Sequence, residues 1–121
     1  MQITIQGRPI TKKNSSQIIR RGNRSFLIPS KQYLKYEKEC AWYLNGTHKQ
    51  GIDTPINLKC VYYMPTRHKV DLCNLLAATC DILVKYEVIE DDNCKIVVSH
   101  DGSRVHYDKE NPRVEIYIET C

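Results

Sequence analysis

No run of apolar residues in this 121-residue chain approaches the roughly 20 needed to span a bilayer. The opening stretch, MQITIQGRPITKK, has no basic segment followed by an apolar core, so it lacks the pattern of a secretory leader. A cytoplasmic protein with no membrane partner is therefore expected. No C-x-x-C pair occurs, and His48, His68, His100 and His106 are scattered, which speaks against a zinc site. Internal repeats, low-complexity tracts and linkers are missing too, so residues 1–121 read as one domain. There is no RNA-binding signature.

Six cysteines are present: Cys40, Cys60, Cys73, Cys80, Cys94 and Cys121. An even count in a short chain suits a disulfide framework. Without a secretion signal, and with Cys40, Cys73 and Cys80 inside predicted helices, free thiols packed as small hydrophobes are expected for most of them. Hydrophobic residues make up 41% and charged residues 26%, an ordinary globular balance. The net charge of +4 and the isoelectric point near 8.7 are compatible with a polyanionic partner without requiring one.

Periodicity gives an α+β domain: a mixed sheet of about four to six strands packed with two main helices. Met1–Gly7 alternates apolar and polar residues and predicts a half-buried strand. Arg8–Ser16 is a loop holding Pro9, Lys12, Lys13 and Asn14. Gln17–Arg20 and Arg24–Ile28 flank Gly22-Asn23 and predict a basic hairpin. Ser30 is a good N-cap for a first helix. Tyr33, Tyr36, Cys40, Tyr43 and Leu44 recur along it at helical spacing, and Asn45-Gly46 is expected to stop it. That tyrosine stripe reads as core or as a dimer interface.

Ile56–Met64 predicts a strand ended by Pro65, Asp71–Tyr86 a second helix, and Lys95–Ser99 and Arg113–Glu119 further strands. The stretch from Asp101-Gly102 to Pro112 reads as turn and loop.

On a wheel of about 100° per residue, Leu72, Leu75, Leu76, Thr79, Ile82 and Leu83 form one face of the second helix. Cys73, Ala77, Cys80 and Val84 widen it. Asp71, Asn74, Asp81 and Lys85, with Ala78 between them, form the polar strip. A helix apolar around most of its circumference is mostly buried. Partly enclosed aspartates need a cation, a hydrogen bond or a metal. Glu90-Asp91-Asp92 follows, three adjacent carboxylates whose repulsion a divalent cation would relieve; oxygen donors of this kind suit Mg²⁺ or Mn²⁺. Plainer readings stand beside this one. Asp71 suits an N-cap, Glu90-Asp91-Asp92 a solvated turn, Asp81 an i, i+4 pair with Lys85, and Asn74 a core amide bonded to backbone.

The stretch Met64-Pro65-Thr66-Arg67-His68-Lys69-Val70-Asp71-Leu72-Cys73-Asn74-Leu75, then Ala77-Ala78 and Asp81, then Asp91-Asp92, resembles the RusA family of Holliday-junction resolvases. That family carries a basic segment leading into D-x-D-N-L, a further aspartate on the same helix, and D-D before a strand. The loop with Lys12-Lys13-Asn14-Ser15 is similar to its polar N-terminal loop, and the likeness spans nearly the whole chain. The resemblance implies a homodimeric endodeoxyribonuclease of recombination and repair, often encoded by phages or prophages. Such enzymes cut four-way DNA junctions with Mg²⁺ or Mn²⁺ and no small-molecule cofactor. It implies Asp71 and Asp92 as catalytic and metal-binding carboxylates, with Asp91 beside them.

Two positions depart from the pattern. Cys73 stands where the second carboxylate belongs, and Ala77 where a catalytic lysine belongs. Asp91 and Asp81 are the candidate substitutes for the carboxylate, with Asp91 preferred because Asp81 lies almost three helical turns from Asp71. Lys12, Lys13, Arg67 and Lys69 are the candidate sources of the positive charge. The DNA contacts expected are Lys12, Lys13, Arg20, Arg21, Arg24, Arg67, His68 and Lys69, together with the lysines of the first helix. A DNA-junction binder that does not cut, and a non-enzymatic interaction module with reactive thiols, are the alternatives.

Overall fold

A computed structural model describes residues 1–12 and 16–121. Its elements are β1 (Gln2–Gln6), β2 (Ser16–Arg21), β3 (Arg24–Pro29), α1 (Lys31–Cys40), β4 (Ile56–Met64), α2 (Leu72–Lys85), β5 (Val97–Ser99), β6 (Arg104–Tyr107) and β7 (Arg113–Thr120). The main sheet runs β1-β7-β4, antiparallel at both junctions. Two short strands share the far edge of β4, both parallel to it: β5 at Ile56–Asn57 and β6 at Val61–Met64. The basic hairpin β2–β3 is a separate two-stranded sheet. This is the mixed-sheet α+β architecture that the periodicity predicts.

The period-two pattern sorts the sheet into two faces. Ile3 and Ile5 of β1, Leu58, Cys60 and Tyr62 of β4, and Val114, Ile116 and Ile118 of β7 are buried in one core with Leu75, Ile82 and Leu83 of α2. Each such aliphatic side chain contributes about 1.5–3 kcal/mol when fully buried. A polar bond also ties strand to helix. Thr79 Oγ1 donates to the Leu75 carbonyl at 3.0 Å, and the Tyr62 hydroxyl lies 2.7 Å from that same Oγ1. The opposite sheet face is polar: Arg113 lies 3.8 Å from the Tyr63 ring centre, and Tyr63 stacks on His106.

Several boundaries differ from expectation. β6 was expected to be loop: it is four residues long, follows the Asp101-Gly102 turn, and all four of its residues are exposed. The Lys95–Ser99 strand shortens to Val97–Ser99. α1 is capped as predicted, with Ser30 Oγ accepting the Tyr33 N–H at 3.1 Å. It ends at Cys40 and passes into a 3-10 turn, Ala41–Tyr43, and Gly46 adopts no left-handed conformation. Along it, Tyr33, Cys40 and Leu44 are buried, so the stripe is core. Half the thiols meet the buried expectation: Cys40, Cys60 and Cys80 are buried, whereas Cys73, Cys94 and Cys121 are exposed, and all six are free.

Candidate active site

Pro65 ends β4, and the chain turns through Thr66–Val70 into α2. Asp71 sits at the N-cap with extended backbone (φ −88°, ψ 116°), and its Oδ1 accepts the Cys73 N–H at 2.9 Å. Oδ2 makes no hydrogen bond among the described residues. Asp71 is exposed, not enclosed. It also lies at the positive end of the helix dipole, which favours its charge.

Beside this helix start, two segments distant in the chain meet. Arg8, Pro9, Ile10 and Thr11 line a cleft of about 200 Å³ with Thr66, His68, Lys69 and Val70, and Gln32 of α1 closes one side. The cleft is basic and opens next to Asp71. Arg67 is turned away from it, 4.3 Å above the Tyr107 ring of β6. Lys12 passes over α2, with its Nζ 3.6 Å from Asp81. Asp81 therefore does not pair with Lys85, which reaches across to Glu37 of α1. An i, i+4 partner lost this bond to a segment 69 positions earlier in the chain, which no local pattern encodes.

The exposed strip of α2 is rotated from the predicted one. Cys73 and Ala77 are exposed, Asn74 and Asp81 are half-buried, and Ala78 is buried. The wheel had put Cys73 and Ala77 on the apolar face because both are small and apolar. Cys73 and Ala77 thus face outward on the first two turns after Asp71.

α2 ends in a Schellman motif: Val88 N–H donates to the Leu83 carbonyl at 2.9 Å and Glu87 N–H to the Val84 carbonyl at 3.1 Å. Glu87 takes the left-handed conformation (φ 64°) that this motif usually gives to glycine. Backbone bonds from Gly51 and Ile52 to Glu87 and Val88, and from Glu90 to Ile52, staple the following turn in place.

That turn presents Glu90, Asp91 and Asp92 to solvent. Asn93 Nδ2 donates to Asp91 Oδ2 at 2.8 Å and, with the Asp92 backbone N–H, holds the Asp91 carboxyl below its ordinary range. The buried Cys80 thiol is pushed up to about 12, first by burial, then by the charges of Asp92 and Asp81.

Among the described residues, no three His, Cys, Asp or Glu side chains converge to hold a metal ion. A full protein cage is not what Mg²⁺ requires. It keeps several waters and takes one or two carboxylates plus substrate phosphates. Asp71, with a spare oxygen, and the exposed Asp91 and Asp92 offer hard donors of that kind. Cys73, a soft thiol, does not fit.

The other predicted DNA contacts fall in two places. Arg20 and Arg24 are exposed on the β2–β3 hairpin, and Arg21 pairs with Arg24 across its tip. Lys13, with Asn14 and Ser15, lies outside the described residues. Sequence reasoning missed Arg8 and Gln32 as cleft residues. Arg8 precedes the proline loop and carried a signal in its charge; Gln32 carried none.

No helix among the described residues is long and apolar enough to cross a membrane. A comparison with curated proteins finds no match. A family model, endodeoxyribonuclease RusA, matches residues 6–119. That span takes in the proline loop, the basic hairpin, the cleft, α2 and the Asp91-Asp92 turn. The chain belongs to the RusA endodeoxyribonuclease family.

Proposed function

We propose that the protein cuts branched, four-way DNA by metal-dependent phosphodiester hydrolysis, with Asp71 and Asp92 as the metal carboxylates and Asp91 beside them. The observation that carries this reading is the meeting of the Arg8–Thr11 loop, the His68–Lys69 segment and the Asp71 helix start in one basic cleft. A cation cleft next to the spare Asp71 oxygen suits a phosphodiester, which needs its charge neutralised near the point of attack.

A Mg²⁺ or Mn²⁺ ion held there supplies charge stabilisation at the phosphate and activation of the attacking water. The chain's own groups do the rest. Asp71 holds its ligand oxygen in a fixed direction because its other oxygen is tied to the Cys73 N–H. Arg8, His68 and Lys69 neutralise and orient the phosphate. Arg20, Arg21 and Arg24, with Lys12 and Lys13, contact the flanking duplex backbones, which gives salt-dependent binding with little reading of sequence. A homodimer matches the two symmetry-related cleavage points of a four-way junction. Cytoplasmic DNA is the expected substrate.

The test is a cutting assay on synthetic junctions with Mg²⁺ or Mn²⁺. Asp71→Asn and Asp92→Asn are expected to abolish cutting while leaving junction binding intact. If both variants still cut, the site is elsewhere. The neutral, exposed Cys73 and Ala77 favour a second reading, a junction binder with impaired cutting. Tight binding with no nicking at any protein concentration would select it.

A further inference from the structure

We propose that the outer stripe of α1 binds unstacked nucleotides, with Trp42 as a stacking platform and Lys31, Lys35 and Lys38 as phosphate contacts; this rests on the reading of the protein as DNA-binding. Trp42 lies in the 3-10 turn that continues α1 and is 86% exposed. A tryptophan packed in a protein removes some 150–250 Å² from water. Tryptophan is among the residues enriched where binding energy concentrates.

Its neighbours give it a partner. Positions 31, 35, 38 and 42 follow the spacing that places residues on one helical face. All four are exposed, while Tyr33, Cys40 and Leu44 bury the opposite face. Lys35 lies 3.9 Å from Glu39, a solvated pair. Lys31 and Lys38 form no ion pair among the described residues. The stripe is continuous with the cleft: Gln32, next to Lys31, lines it with Arg8, His68 and Lys69. From there it runs roughly 16 Å to Trp42.

Charge decides the occupant. Three lysines against a single glutamate repel the same stripe of a second copy. An apolar partner helix would leave the lysines unmatched. Phosphates satisfy all three, and an aromatic ring beyond them stacks on any base, whatever its identity. Paired duplex arms hide their base faces, whereas a branch point or frayed end exposes them. One tryptophan and the half-exposed Leu34 form too small an apolar surface for a membrane-lying helix.

Trp42 is the chain's only tryptophan, so its emission reports this site directly. The full chain, without divalent cation, is titrated with a single-stranded oligonucleotide, a four-way junction, a blunt duplex and anionic vesicles. Single strand and junction are expected to quench emission at least twice as deeply as duplex. Trp42→Ala should weaken single-strand binding about fivefold or more, with Trp42→Phe retaining most of it. Lys31→Gln, Lys35→Gln and Lys38→Gln should each lower the salt slope by about 0.7.

Emission unchanged by both single strand and junction overturns the proposal. So does emission that depends on protein concentration without DNA, or that responds to vesicles alone. If a labelled junction is bound and cut while Trp42 stays silent, the endonuclease reading stands and this one fails. If single strand quenches Trp42 but junctions are never cut, the reverse holds.

Discussion

Asp71 Oδ1 accepts the Cys73 N–H at 2.9 Å, so one carboxylate both starts a helix and stands beside the basic cleft. The two roles separate by substitution. Asparagine caps as well as aspartate, whereas alanine at an N-cap costs about 0.5–2 kcal/mol. Asp71→Asn should unfold at nearly the native denaturant midpoint yet lose cutting. Asp71→Ala should lose both. Urea unfolding beside a nicking assay reads the difference, and an Asp71→Asn variant that cuts normally would leave Asp71 only its structural role.

Cys73 is exposed one position inside that helix. Cys73→Asp adds a hard oxygen without disturbing the core. Extra ligand charge tightens hard-cation sites, so the Mg²⁺ concentration for half-maximal cutting should fall about tenfold. Cys73→Ser should change little. A large loss with serine would mean that the thiol itself is needed.

The Tyr62–Thr79 contact predicts an asymmetry. Thr79 spends its proton on the Leu75 carbonyl, so the Tyr62 hydroxyl is the donor between them. Thr79→Val strands that buried donor and should cost about 1–3 kcal/mol, whereas Tyr62→Phe leaves Thr79 bonded and should cost about 0.5–1.5 kcal/mol. Chemical denaturation of both variants orders the two costs; the opposite order would contradict the assigned donor.

Glu87 occupies a left-handed position with its side chain in solvent. Left-handed backbone costs an L-residue roughly 1–2 kcal/mol, and glycine's greater freedom in the unfolded chain returns part of that. Glu87→Gly should therefore stabilise the fold by about 0.5–1 kcal/mol, read as a raised melting temperature.

Burial pushes the Cys40, Cys60 and Cys80 thiols up to about 12, which keeps them protonated and unreactive at neutral pH. Native protein should take up label at three thiols, Cys73, Cys94 and Cys121, and unfolded protein at six. Mass spectrometry of the labelled peptides counts them.

What was legible in the sequence follows from how local each cause is. The Ser30 cap, the alternation of β4 and β7, and the start of α2 depend on residues within a turn or two, and each was readable. β6 was not, because an edge strand exposed along its length needs only the bonds that β4 offers it. The Lys12–Asp81 and Lys85–Glu37 pairs join segments far apart, so the i, i+4 rule chose the wrong partner for Asp81. Cys73 and Ala77 were set facing inward because small side chains give a wheel little direction. The basic segment before Asp71 and the proline loop were each visible as candidates, but their meeting in one cleft belongs to the fold.

Among the described residues β1 has a single neighbour, and that neighbour is β7: Gln2 pairs with Tyr117 and Gln6 with Arg113. β1 must therefore wait for a strand made more than a hundred residues later. Until β7 is made, Ile3 and Ile5 have no strand to pair with, and bringing the two strands together closes a loop of about a hundred residues against chain entropy. A nascent or C-terminally trimmed chain would carry a bare apolar strand, which makes this pairing the step at which chaperone capture or aggregation competes with folding.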